Sequence, residues 1–153
     1  MPATLSPSVL ALNSDQSVYH LHLHPEDIAD TVILVGDPQR VSAVSQHFSS
    51  ITVKKQYREF VTHTGTYQQK PLSVISTGIG AGNIDIVLNE IDALKNINLK
   101  NREIKENPTQ LKFIRLGTTG ALQPEIAPGH RILSAYAAGF DGLAHFYQHH
   151  NHN

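Results

Sequence analysis

Cysteine is absent from the 153 residues, which excludes disulfides and thiol chemistry and fits a cytosolic protein. No apolar run is long enough to span a bilayer, and no segment joins a basic start to an apolar centre as a secretory signal does. An excess of one charge is missing too: 12 basic and 13 acidic side chains leave a net charge of -1. That balance gives no support to a nucleic-acid or membrane-surface role. What remains, 40% apolar and 16% charged residues, describes an ordinary globular chain with enough length for a single domain over residues 1–153. Ten histidines are the one compositional oddity.

The first fourteen residues read as a loosely held leader. "TVILVG" is a continuous β-branched run closed by glycine, the pattern of a strand covered on both faces. After "DP", residues 39–48 suit a helix with proline in its first turn. "SITVKKQYREFVTHTGTYQQKPLSVIST" reads as successive strands with a turn near "YQQKP". From Asn83 to about Asn96, Ile84, Val87, Leu88, Ile91 and Leu94 recur at helical spacing. "NINLKNREIKENPTQ" is polar and without period, a surface excursion. "LKFIRLG" is a further strand, and "HRILSAYA" another.

Strands alternating with helices, three of them ending in glycine ("VGDP", "STGIGAG", "RLGTTG"), describe an open α/β sheet with its ligand beyond the carboxyl ends of the strands. None of the three has the Gly-Lys-Ser/Thr ending of a nucleotide phosphate loop. "GIGAGN" does not complete Gly-x-Gly-x-x-Gly either, because Asn83 stands at the last glycine. Arg115 interrupts an apolar strand, and a charge there is costly unless an anion meets it. The Gly-Thr-Thr-Gly that follows is a place where amides and hydroxyls converge on a small anion. Singly, each loop also reads as a plain turn, with a hydroxyl capping a helix.

Together "VGDPQRV", "YREF", "STGIG" and "RLGTTGALQP", preceded by "HL" at His20 and Leu21, resemble the nucleoside phosphorylase family and most of all its uridine phosphorylase branch. The resemblance runs from about Ser17 to about Phe146. It implies a three-layer α/β/α fold around a central mixed sheet, here the N-terminal portion and incomplete at the C-terminus. It implies a pentosyltransferase that splits a nucleoside, uridine in this branch, into free base and ribose 1-phosphate for nucleoside salvage in the cytoplasm. Phosphate is then a co-substrate, and no cofactor is required. By the resemblance Gly36 offers backbone to phosphate, Arg40 and Arg115 pair with it, and Thr118 reaches both phosphate and ribose. These last three are the catalytic set. Arg58 of "YREF" serves a neighbouring subunit's phosphate, and His20 touches the ribose in the same crossed manner. A homodimer follows, and three such dimers make the hexamer seen in the family. Glu59, Ile79 and Asn83 fall where some members hold a monovalent cation, but Asn83 replaces a serine of the family's Gly-Gly-Pro-Ser. The residues that recognise the base lie beyond this span in the family, so purine and pyrimidine stay open, and the 153-residue chain alone is expected to be inactive. Two alternatives are a nucleosidase of the same fold, which would lack the phosphate arginines, and a non-catalytic truncated remnant that binds phosphate.

"HLHLH" sets His20, His22 and His24 on one side if the segment is extended. Three imidazoles could then hold zinc, against the plainer expectation of a partly exposed strand in which only His20 has a task. The histidines of "HFYQHHNHN" read as the start of a polar loop.

Overall fold

The computed structural model describes residues 4–147, which fall into two compact units divided between Leu116 and Gly117. The first unit holds all the regular sheet. Its strands are β1 (Thr31–Val35), β2 (Ser50–Tyr57), β3 (Phe60–Tyr67), β4 (Lys70–Ser76), β5 (Ile97–Asn98), β6 (Glu103–Ile104) and β7 (Lys112–Leu116), with helices α1 (Gln39–Ser45) and α2 (Ala81–Asn96). Five strands form one sheet in the order β2-β3-β4-β1-β7. β1 runs parallel to β4 and β7, whereas β2, β3 and β4 form an antiparallel meander. The sheet is mixed and central, as expected.

Alternation along β1 builds the layers. Val32 and Leu34, with Ile75 of β4, pack in one cluster with Val87, Ile91 and Leu94 of α2. Ile33 and Val35, with Val74, belong to a second cluster with Val41 and Val44 of α1. One helix therefore covers each face, and the apolar stripe expected on α2 is the surface it buries. Asp37 stands just before α1, its side chain accepting from the Gln39 amide at 2.9 Å. The β3–β4 turn falls where "YQQKP" placed it. Gln68 and Gln69 both have positive φ, 47° and 63°, the backbone that a two-residue hairpin demands.

Four expectations fail, each for a physical reason. The leader is not loose: Leu10 is buried, Leu5 and Leu12 pack on the α2-side core, and Leu12 bridges to Val18. The polar excursion is what holds it. β5 and β6 form a hairpin, and Thr4 bridges to Glu103. The Leu5 amide donates to the Arg102 carbonyl at 2.8 Å, and the Arg102 guanidinium donates to the Leu10 carbonyl. Asn96 at the end of α2 steadies the return, its side chain bonding the Thr109 amide at 2.6 Å and carbonyl at 3.2 Å. Such side-chain and backbone bonds leave no hydrophobic period to read.

Among the described residues β7 is an edge strand with all five of its residues exposed, so Arg115 does not sit in a covered strand there. "HRILSAYA" forms no strand. In the second unit the described residues make only a 3-10 turn at Leu143–Phe146, and Leu133 and Tyr136 are 97% and 96% exposed. An apolar run acquires strand structure only where a ladder pairs its amides and carbonyls, and no residue of that run enters one among the described residues. The tail beyond Tyr147, with His149, His150 and His152, lies outside the described residues.

The strap makes a measurable difference. Leu10→Ala should destabilise the first unit by about 2–3 kcal/mol, the lower part of the range for a buried leucine, as a lowered urea midpoint. A leader that merely trails would leave the midpoint unchanged.

Candidate functional site

The two parallel pairings of β1 bring three strand ends level. Val35 is in register with Ser76 of β4 and with Leu116 of β7. Both the amide and the hydroxyl of Thr77 then donate to the Val35 carbonyl, at 2.8 and 3.2 Å. The residues just past or at these ends, Gly36, Gly78 and Arg115, meet as a result. A Cβ built on Gly36 would lie 3.2 Å from Nη2 of Arg115 and 3.8 Å from the Gly78 carbonyl oxygen. Glycine at 36 thus lets the guanidinium lie over bare backbone. Arg115 also donates through Nη1 to the Leu116 carbonyl. Among the described residues no carboxylate pairs with it. Arg40 sits in the first turn of α1, four residues past Gly36, half-buried and likewise without an anionic partner among the described residues. The first unit therefore collects two uncompensated guanidinium groups near the carboxyl ends of parallel strands.

A second group forms at the β2–β3 turn. Arg58 has a φ of 52° and lies with its guanidinium carbon 5.4 Å from the Tyr57 ring centre, a cation–π contact. Its neighbour Glu59 accepts from the Asn83 side-chain amide at 2.9 Å. Gly78, with a φ of +65°, makes this possible, since a Cβ there would lie 2.7 Å from Asn83 Nδ2 and 3.0 Å from Glu59 Cγ. The bond from its own backbone and the Asn83 amide hold the Glu59 carboxyl below the usual carboxylate range, helped by Arg58 and His20. Glu59 and Asn83 meet as the expected cation set required, but the amide of Asn83 donates into the carboxylate. Ile79 points its side chain into solvent, 94% exposed.

The histidines separate. His22 has a φ of 51°, so the chain turns there and "HLHLH" is not an extended strand. His20 bonds Glu90 of α2, His22 stacks on Tyr57 with ring centres 3.7 Å apart, and His24 lies 3.5 Å from Asp27. No group of three metal-ligating His, Cys, Asp or Glu residues occurs among the described residues. The one-face arrangement that zinc needed fails because a left-handed residue breaks the period of two.

Glu90 is the residue that inspection of the sequence missed. Its carboxylate accepts from the backbone amides of His20 (3.0 and 3.1 Å) and Leu21 (2.9 Å) and lies 2.6 Å from His20 Nδ1. Seventy positions separate the partners. The only available signal was an acidic residue immediately before Ile91, beside the apolar stripe of α2. Thr118, the remaining expected site residue, belongs to the second unit, where it is exposed.

Helix α1, which carries Arg40, is fastened to β3 by Ser45 and His63, whose Oγ and Nδ1 are 2.8 Å apart in a buried position. Burial, and then the Lys54 charge, hold the His63 imidazole below its ordinary pKa. The unfolded chain therefore takes up this proton first, so the contribution of His63 to stability is complete above about pH 6.5 and is lost on acidification below it. His63→Gln should flatten the acid side of a plot of urea midpoint against pH. An unchanged slope would show that His63 does not drive it.

Known proteins match the chain over most of its length. The family model described as the phosphorylase superfamily matches residues 30–152. The chain is 38% identical over 129 residues to the uridine phosphorylase of Treponema pallidum, covering 84% of this chain and 45% of that protein. It is 36% identical over 129 residues to the uridine phosphorylase of Thermococcus kodakarensis, covering 84% of this chain and 42% of the other. A crystal structure of a Trypanosoma brucei nucleoside phosphorylase, described as showing uridine phosphorylase activity, superposes with a TM-score of 0.71 at 37% identity. That superposition covers 78% of this chain and 41% of the other. The chain spans under half the length of the relatives it matches.

Proposed function

The chain belongs to the phosphorylase superfamily, and from that premise we propose that it supplies the phosphate site and part of the ribose site of a nucleoside phosphorylase acting on uridine. One observation carries the proposal. The Arg115 guanidinium lies over the Gly36 backbone at the shared end of three parallel strands, without a carboxylate partner among the described residues.

Phosphorolysis transfers the ribosyl group. A phosphate oxygen attacks the anomeric carbon as the bond to the base breaks, and the base leaves with the electron pair and takes up a proton. Charge at the sugar is cation-like in the transition state, as in other glycosidic cleavages. Phosphate is a weak nucleophile when fully hydrated, so the protein's part is to desolvate it, hold it and aim it. Planar guanidinium groups do this with paired, charge-assisted hydrogen bonds. Arg40 and Arg115 hold the phosphate from within one chain, the Gly36 backbone closes on it, and Thr118 bonds both phosphate and ribose. Arg58 and His20 serve the neighbouring subunit, Arg58 at its phosphate and His20 at its ribose, which makes the working form a homodimer, three of which build a hexamer. Within this scheme phosphate is the co-substrate and no cofactor is required, while the cation place at Glu59, Ile79 and Asn83 has an asparagine where the family has a serine. The place of the reaction is nucleoside salvage in the cytoplasm. The described residues contain no helix long and apolar enough to cross a membrane.

Phosphate binding to the chain, followed by calorimetry, should weaken roughly ten- to a hundredfold in Arg115→Ala, since a charge-assisted bond contributes about 1.5–3 kcal/mol. Unchanged affinity in the folded variant would remove the site. In a protein completed to the length of its relatives, uracil release from uridine should require phosphate and collapse in Arg40→Ala and Arg115→Ala, whereas the 153-residue chain alone should show no turnover. Cleavage without phosphate would identify a nucleosidase. Absence of cleavage despite phosphate binding would leave a binding module. Mixing His20→Ala with Arg115→Ala subunits should restore activity in some mixed dimers, because the two lesions fall in different shared sites. No recovery after verified exchange would show that each chain builds its own site.

A further inference from the structure

We propose that Glu90 is a positioning residue that fixes the ring and the tautomer of His20, so that Nε2 faces outward as a bare hydrogen-bond acceptor. The geometry begins at the backbone. The amides of His20 and Leu21 can only donate, and both aim at the Glu90 carboxylate, at 3.0 and 3.1 Å for His20 and 2.9 Å for Leu21. Two fixed N–H donors hold that group as an acceptor at both oxygens. The third contact, His20 Nδ1 to Oε1 at 2.6 Å, must then carry its proton on nitrogen. In a neutral imidazole, a proton on Nδ1 leaves Nε2 with its lone pair free. No partner engages Nε2 among the described residues, and the His20 side chain keeps 30% of its surface exposed while that of Glu90 keeps 12%. The Tyr19 ring meets the imidazole edge-on, with centres 5.0 Å apart and planes at 88°, which restricts the ring further.

The use of this arrangement rests on the ribose role proposed for His20. An outward Nε2 acceptor selects a ligand group that donates, and a sugar hydroxyl donates, so His20 would read the presence of a hydroxyl rather than an ether or carbonyl oxygen at that place. A histidine left to rotate would offer either nitrogen, in either tautomer, and would discriminate nothing. Helix α2 thus reaches back across the N-terminal turn and decides which nitrogen the ligand meets. The same pattern orients metal-bound and catalytic histidines through the nitrogen that does not react.

The test reads the tautomer on the chain itself, without ligand, so its outcome is independent of whether phosphorolysis is the reaction. Long-range proton–nitrogen NMR correlations on the 15N-histidine-labelled chain, at a pH where the ring is neutral, should show His20 Nδ1 protonated and Nε2 bare. The His20 signals are identified by their loss in His20→Gln. In Glu90→Gln the single amide oxygen is taken by the backbone amides and the NH2 turns toward Nδ1, so the proton should move to Nε2. A side chain that only props the turn would leave the tautomer unmoved. An Nε2–H tautomer in the wild-type chain, or an unmoved Nδ1–H tautomer in folded Glu90→Gln, overturns the proposal. Should Glu90→Gln fail to fold, the wild-type tautomer decides it alone.

Discussion

The meeting of Gly36, Gly78 and Arg115 hangs on β1 being hydrogen-bonded in parallel on both sides. Parallel pairing points the carboxyl ends of three strands to one edge, and the register makes those ends level, Ser76 and Leu116 both opposite Val35. A one-residue slip on either side would turn Arg115 or the Gly78 segment to the other face, because side chains alternate with a period of two. The register is held by burial: Val32 and Leu34 feed the α2 side, while Ile33 and Val35 feed the α1 side. Apolar packing on both faces of one five-residue strand therefore sets where a guanidinium meets a glycine backbone. The open crevice beyond such strand ends is where α/β sheets commonly bind ligands.

The N-terminal segment is organised on a different principle. Two carboxylates shielded from solvent, each satisfied by donors from elsewhere in the chain, pin it to the sheet unit. Asp27 accepts from the His24 amide and from Lys55 of β2, each at 2.6 Å, and Glu90 accepts from His20 and Leu21. The Asp27 carbonyl also takes the Thr64 hydroxyl of β3 at 2.6 Å. Removing water from a carboxylate is costly unless such bonds replace it, so these contacts tolerate little displacement. They carry His20 and the β2–β3 turn with Arg58 on one connected framework. The two residues proposed to serve a neighbouring subunit are thus supported together, through contacts separate from those that place Arg115.

Where the fold depended on apolar periodicity, it was legible in advance. β1, β4 and α2 lie where "TVILVG", "LSVIST" and the stripe from Ile84 to Leu94 put them, and α1 follows "DP" as expected. The strap of β5 and β6 over residues 4–12 was illegible because its bonds run from Asn96 and Arg102 to backbone groups, which leave no pattern of residue types. "HRILSAYA" misled in the opposite direction, since composition reports what could be covered and not whether a ladder exists to cover it. The site divided likewise. Gly36, Arg40 and Arg115 were marked by loops at strand ends, whereas Glu90 carried no mark.

The sequence by itself determined the class of the protein: an α/β chain with glycine-closed strands, whose "VGDPQRV", "YREF", "STGIG" and "RLGTTGALQP" stretches resemble the phosphorylases, with arginines at two of those closures. Those facts reside in local residue order, in periods of two and 3.6, and in short motifs. Tertiary structure decided the rest. Among the described residues it placed Arg115 on an exposed edge strand, gave the three imidazoles of "HLHLH" three separate partners, and set Glu90 against His20 across seventy positions. Each of these depends on which distant groups become neighbours after the helices cover the sheet. No local pattern encodes that, because a hydrogen bond between distant residues constrains only the pair that makes it.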